Sequence, residues 1–182
     1  ELYVSRTGFT GELGFEIYSG GAKTDHLALW EHLMKVGTPH GMAFSSTRSL
    51  TIRRIEAGIL GNLTDIDTTM TPFEAGLSPF INMNKGDFIG REELVDADRQ
   101  CLLVGLTCQT ATPAAGSVIV DAGTTVGHIT AGVPSPTLGF GIGYARFNQP
   151  GEWIGRSMHL QLADGSLHTC DIVNLPFFDP EN

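Results

Sequence analysis

From Gln100 onward the sequence breaks into short, strand-like stretches at nearly even spacing, and this pattern constrains the fold more than any other feature. The stretches are Cys101–Thr107, Ser117–Val120, Thr125–Thr130, Gly139–Arg146, Ser157–Gln161 and Ser166–Val173. Turn signals separate them, including Asp121-Ala122-Gly123, Pro150-Gly151 and Asp164-Gly165. Short strands with hardly a helical period between them predict a small antiparallel barrel or sandwich. Glycines alternate in Gly139-Phe140-Gly141-Ile142-Gly143, but the residues that follow read as strand, and a phosphate-binding loop needs a helix there.

The earlier part of the chain has a different texture. Leu2-Tyr3-Val4 and Gly14–Tyr18 read as two strands, the second with Phe15 and Ile17 on one face and Glu16 on the other. Between them, Thr7–Gly14 carries glycines at positions 8, 11 and 14, which suits a tight turn or a close backbone approach. A helix follows, capped by Thr24 or Asp25 and stopped by Gly37 and Pro39. Its apolar stripe is Leu27, Trp30, Leu33 and Met34, with Trp30 expected in the core. A second helix over about 46–57 places Leu50 and Arg54 on one face. Residues 62–83 read as loop punctuated by Pro72 and Pro79, and a short helix is expected at Gly90–Asp98. The expected fold class is therefore α+β, with residues 1–98 forming a mixed module and residues 99–182 a small antiparallel β-barrel.

A net charge of −9, from 20 acidic and 11 basic residues, repels phosphate backbones, so nucleic acid is not an expected partner. No apolar run approaches the roughly 20 residues of a membrane-spanning helix, so no membrane partner is expected. Three cysteines without C-x-x-C spacing support neither a disulfide framework nor a structural zinc site, and they fit a reducing, cytoplasmic setting. The six histidines show no ligand spacing, and no metal site is expected. The sequence starts at Glu1 rather than Met and enters a strand-like run at once, which reads as a chain with further residues upstream.

Three stretches carry a family resemblance. Arg6-Thr7-Gly8-Phe9-Thr10-Gly11-Glu12-Leu13-Gly14-Phe15-Glu16-Ile17 is similar to an aromatic-T-G-E-x-G-x-E-[IV] signature. Arg54-Ile55-Glu56-Ala57-Gly58, followed by Asp65-Ile66-Asp67 and Thr71-Pro72-Phe73-Glu74-Ala75-Gly76-Leu77, resembles R-x-E-A-G … D-I-D … T-P-x-E-A-x-L. Thr130-Ala131-Gly132-Val133-Pro134-Ser135-Pro136-Thr137-Leu138 resembles T-S-G-x-x-S-P-[ST]-L. These motifs, in this order, resemble the carboxy-terminal part of the glycine-cleavage T-protein (aminomethyltransferase) family.

The resemblance implies a protein that binds tetrahydrofolate in a central channel and moves a one-carbon unit from a small donor, which a lipoyl carrier protein presents in some members. It places residues 1–98 in the second part of the folate-binding module and 99–182 in the terminal barrel. The aspartate associated with catalysis belongs to a half not present here. No catalytic residue is therefore expected in this chain, and the chain by itself is expected to be inactive. Glu16 matches the glutamate that grips the pterin ring, whose amide N–H and neighbouring amino group form a donor pair that one carboxylate can accept. Phe9, Gly11 and Arg54 are the other folate-binding positions it implies. On the residues alone, each has a plainer role: Glu16 as a solvated strand glutamate, Phe9 in packing, Gly11 in the turn and Arg54 in an ion pair with Glu56 or Glu74. Glu12 reads as facing solvent or bracing the loop, Asp65 and Asp67 as turn-forming side chains, Ser135 and Pro136 as a turn, and His128 as packed.

Two departures from the family pattern bear on the donor. Leu50 stands where the glycine-cleavage pattern has an arginine, and 41–58 is longer than in that enzyme. Together with the closing Leu175-Pro176-Phe177-Phe178-Asp179-Pro180-Glu181-Asn182, this resembles the tetrahydrofolate-dependent demethylases that act on dimethylsulfoniopropionate, methoxyaromatics or dimethylglycine and sarcosine. A non-catalytic folate-binding relative that serves iron–sulfur clusters would carry K-G-C-Y-x-G-Q-E. The run here is Lys85-Gly86-Asp87-Phe88-Ile89-Gly90-Arg91-Glu92, without the cysteine.

Overall fold

The computed structural model describes residues 2–179; Glu1 and the final Pro180, Glu181 and Asn182 lie outside the described residues. The fold is α+β, and it divides into two compact units between Arg54 and Ile55, a point that falls within α2 (Thr47–Glu56).

In the first unit, β1 (Leu2–Ser5) and β2 (Glu16–Ser19) form an antiparallel pair in which Tyr3 faces Tyr18 and Ser5 faces Glu16. Helix α1 (His26–Gly37) starts at Asp25, whose carboxylate accepts the Ala28 N–H at 3.0 Å and satisfies one of the unpaired donors of the first turn. At the other end the Thr38 hydroxyl donates to the Met34 carbonyl at 2.7 Å. The expectation that Trp30 lies in a core is corrected: it is 46% exposed and meets the ring of Phe44 edge-on, with centroids 5.6 Å apart. Periodicity identifies the apolar side of a helix but not whether enough chain surrounds it, and no described residue from Leu2 to Arg53 is fully buried.

The second unit holds the barrel. Helix α3 (Arg91–Val95) is shorter than expected. Glu92 and Glu93 suit its N-terminal turn, but Asp96 and Asp98 would place negative charge at the negative end of a longer helix. The strands are β3 (Leu103–Cys108), β4 (Val118–Asp121), β5 (Thr124–Ser135), β6 (Phe140–Phe147), β7 (Ser157–Gln161) and β8 (Leu167–Val173). They close in the order β3-β6-β5-β4-β7-β8, every neighbour antiparallel, which leaves no unpaired sheet edge. Alternation sends Val104, Leu106, Ile119, Ile129, Phe147, Leu160 and Ile172 into one buried cluster, the barrel interior. On the opposite face Leu103, Ala131, Ile142 and Tyr144 form a second cluster with Ile55. There the Tyr144 hydroxyl donates to the Ile59 carbonyl at 3.0 Å, and its ring stacks on Phe177.

Strand β5 does not stop at Thr130 as expected but runs on to Ser135. Ile129 faces Ala145 and Ala131 faces Tyr144, so Thr130 is an extra residue, a β-bulge. After it Gly132 takes the interior-facing parity, opposite Gly143, and Gly141 lies in register with Cys108. A Cβ on Gly132 would stand 2.1 Å from the Pro113 carbonyl oxygen, and one on Gly141 would stand 2.2 Å from that of Ala111. The backbone of 111–113 thus fills the space that side chains on these glycines would occupy, whereas Gly139 meets nothing within 4 Å and serves the turn before β6 with a φ of 82°.

All three cysteines are unpaired thiols: Cys108 and Cys170 are buried in the barrel and Cys101 is partly exposed. Burial pushes the Cys101 thiol up, and burial, the neighbouring Cys108 and Asp171 push Cys170 up to about 12. A chromogenic disulfide reagent should therefore titrate one thiol in the native protein, faster as pH rises, and three after unfolding. Cys101→Ser should abolish the native reaction, and fast native reaction at all three thiols would contradict this packing.

Candidate functional site

The site begins with strand alternation. Glu16 leaves β2 on the same face as Tyr18, two residues on, and opposite Ser5 of β1. Glu16 as a residue is half-buried, whereas Phe15 and Ile17 on either side are exposed at 66% and 39%. Two hydroxyls converge on one oxygen, Oε2: Thr7 Oγ1 and Tyr18 Oη both donate to it, the latter at 3.1 Å. The Tyr18 ring packs at a tilt against Tyr3, with centroids 6.3 Å apart.

The glycine-rich loop after β1 turns at Gly11, whose φ of 74° lies in the left-handed region that favours glycine. Two consecutive arginines of α2 meet this loop. Arg53 pairs with the carboxylate of Glu12, so Glu12 braces the loop as one of its two expected roles had it. Arg54, only 6% exposed, sets its guanidinium carbon 5.9 Å from the centre of the Phe9 ring, a cation–π distance. Phe9 itself is 36% exposed. The structure thus brings Phe9 and Arg54 together, with Gly11 in the loop that carries Phe9, while Glu16 is anchored separately by Thr7 and Tyr18.

A cavity of about 350 Å³ lies between this loop and the start of α2, lined by Thr10, Ser45, Ser46, Thr47, Ser49, Leu50 and Arg53. Its hydroxyls are cross-linked, Ser45 to Ser49 and Ser49 to the Ser46 carbonyl at 2.6 Å. Thr7, Tyr18, Arg53 and this hydroxyl wall were not singled out from the sequence. The signal for Tyr18 was its period-two relation to Glu16, and for the wall the run Ser45-Ser46-Thr47.

The remaining motif residues have structural roles. Glu56, 1% exposed, accepts from the Ser135 hydroxyl at 2.5 Å and from the Thr137 N–H at 3.4 Å, and Ser135 Oγ accepts the Leu138 N–H at 3.0 Å. Ser135, expected in a turn, is the buried last residue of β5. The carboxylate of Glu74 accepts the Thr71 N–H at 2.6 Å. Asp65 is buried and accepts from the Gly61 N–H at 2.7 Å and the Thr130 hydroxyl at 2.8 Å. Asp67 is a turn carboxylate: the Thr69 hydroxyl and then its N–H hold it below the usual carboxylate range, with Arg146 adding to the effect. Partial burial, and then the charge of Arg146, lower the pKa of His128. Among the described residues, no three metal-ligating side chains gather.

Comparison with known proteins agrees along the chain. Residues 1–85 match the model of the GCVT N-terminal domain, and residues 102–179 that of the glycine cleavage T-protein C-terminal barrel domain. An aminomethyltransferase of Streptomyces avermitilis is 34% identical over 183 residues, covering 96% of this chain and 49% of that protein. One from Cutibacterium acnes is 38% identical over 185 residues, covering 97% and 48%. The crystal structure of the glycine cleavage system aminomethyltransferase T from Bartonella henselae superposes with a TM-score of 0.80 at 28% identity, over 97% of this chain and 50% of that one. The chain spans about half the length of the curated relatives it matches.

Proposed function

The chain belongs to the glycine-cleavage T-protein family, and from that premise we propose that it is the carboxy-terminal part of a tetrahydrofolate-dependent aminomethyltransferase. Residues 1–98 supply a wall of the folate site and residues 99–182 are the terminal barrel. Glu16 binds the pterin edge, Phe9 offers an aromatic face beside the ligand, Gly11 lets the loop approach it, and Arg54 fixes Phe9 from behind. The observation that carries this reading is the Glu16 carboxylate itself: hydrogen-bonded only through Oε2 among the described residues, and held by neutral hydroxyls that leave its charge for a ligand.

When bound, tetrahydrofolate supplies the nitrogen that accepts the one-carbon unit. This chain's residues orient the pterin and shield its face from water. A small donor, presented by a lipoyl carrier protein in the glycine-cleavage case, is the other expected partner. The setting we assign is the cytoplasm, which suits three free thiols. A second reading, a tetrahydrofolate-dependent demethylase, is favoured by Leu50, whose apolar side chain lines the cavity beside Arg53 where the glycine-cleavage pattern carries an arginine.

Calorimetry of the intact protein with tetrahydrofolate tests the assignment. Loss of a hydrogen bond to a charged acceptor should weaken binding by about tenfold to a hundredfold in Glu16→Ala. Unchanged affinity in that variant removes Glu16 from the site.

A further inference from the structure

We propose that Thr7 and Tyr18 are positioning residues for Glu16: their hydroxyls fix the plane of its carboxylate through Oε2 and leave Oε1 to meet the ligand's donor. The inference rests on the folate reading of Glu16 given above.

A glutamate on a two-stranded sheet has a flexible side chain, and its terminal torsion is broad and nearly two-fold, so the carboxylate plane is not set by the backbone. One hydrogen bond would hold an oxygen and still allow rotation about it. Two donors arriving from different segments define an orientation. Thr7 comes from the loop after β1, and Tyr18 from β2 itself, on the face that alternation assigns to Glu16. Tyr18 is steadied in turn by its ring contact with Tyr3.

The chemistry of the two donors matters as much as their geometry. An arginine at this place would orient the carboxylate but neutralise it, and the ligand would compete with an ion pair. The nearby arginines that the structure could have used face elsewhere: Arg53 meets Glu12 and Arg54 meets Phe9. Among the described residues Glu16 is held by hydroxyls alone, which orient it and leave its charge intact. Oε1 accepts no hydrogen bond among the described residues, so the oriented carboxylate presents one unused oxygen. This is the arrangement that preorganises a charge-assisted contact, because the ordering is done before the ligand arrives.

The test is tetrahydrofolate affinity of the intact protein by calorimetry, in Thr7→Val, Tyr18→Phe and Thr7→Ser, each made both with Glu16 and with Glu16→Ala. Thr7→Val and Tyr18→Phe should each weaken binding roughly tenfold when Glu16 is present, the scale of one hydrogen bond to a charged group. Neither should weaken it further in the Glu16→Ala background, and Thr7→Ser, which keeps the donor, should bind as the parent does. If Thr7→Val fails to fold, Tyr18→Phe carries the same test. An equal loss in both backgrounds would make the hydroxyls merely structural and overturn the proposal. Tighter binding in Tyr18→Phe would mean that they compete with the ligand, and would overturn it too. If Glu16→Ala weakens binding while both hydroxyl variants match the parent, the positioning role fails and the folate reading survives. If Glu16→Ala itself has no effect, the folate reading fails, and the positioning role with it.

Discussion

Gly132→Ala should prevent the barrel from closing. The added Cβ would lie 2.1 Å from the carbonyl oxygen of Pro113 and 2.9 Å from its carbonyl carbon, both backbone atoms that cannot swing away. Overpacking a core usually costs about 1–3 kcal/mol because side chains find other rotamers. Here the obstacle is backbone, so the cost should exceed about 3 kcal/mol, a large part of the stability of a small domain. Gly141→Ala, 2.2 Å from the Ala111 carbonyl oxygen, should do the same, whereas Gly86→Ala meets nothing within 4 Å and should be nearly neutral. Urea midpoints and near-ultraviolet circular dichroism of the three variants check this. A Gly132→Ala protein with the parent's midpoint would show that 111–113 does not press on β5.

The second large effect should come from Glu56→Ala. The glutamate is 1% exposed, and its Oε1 accepts from Ser135 and Thr137. Removing the carboxylate strands a buried hydroxyl and an N–H and opens a space where atoms had packed. Leaving a buried polar group unsatisfied costs about 1–3 kcal/mol, and with the space left behind a loss of about 3 kcal/mol is expected here. Glu56→Gln, which keeps an acceptor, should lose less. A double-mutant cycle with Ser135→Ala should show coupling above about 1 kcal/mol. Additive losses would show that the two residues do not act together.

The barrel was legible because its strands obey period two and are separated by Gly, Pro and Asp signals. Where it was misread, one residue type was doing a different job. Ala131-Gly132-Val133-Pro134 looked like the end of a strand, since glycine and proline usually mark turns. In the fold the glycine yields space to Pro113, and β5 continues past it to Ser135. Helix α1 was legible from its Asp25 cap, yet its stripe misled about burial, because amphipathicity is local and enclosure depends on what the rest of the molecule provides.

The candidate site divides in the same way. Glu16 and its face follow from alternation, and the turn at Gly11 from the absence of a side chain. The convergence of Thr7 and Tyr18 on one oxygen depends on how a glycine-rich loop folds back, which spacing does not encode. The pairing of Arg54 with Phe9 spans residues far apart in sequence, and no local pattern brings them together. Glu56 and Ser135 belong to two different family motifs that turn out to be the two ends of one buried bond.

The bulge at Thr130 acts on β5 as a one-residue frameshift acts on a message. Just before it, Gly127 and Ile129 address the barrel interior; after it, that address passes to even numbers, and Ala131 and Val133 speak to the outer cluster instead. One strand is therefore read in more than one frame, and a hydrophobic pattern summed over its whole length averages them away. The displaced residue becomes the punctuation, its hydroxyl tied to the buried Asp65.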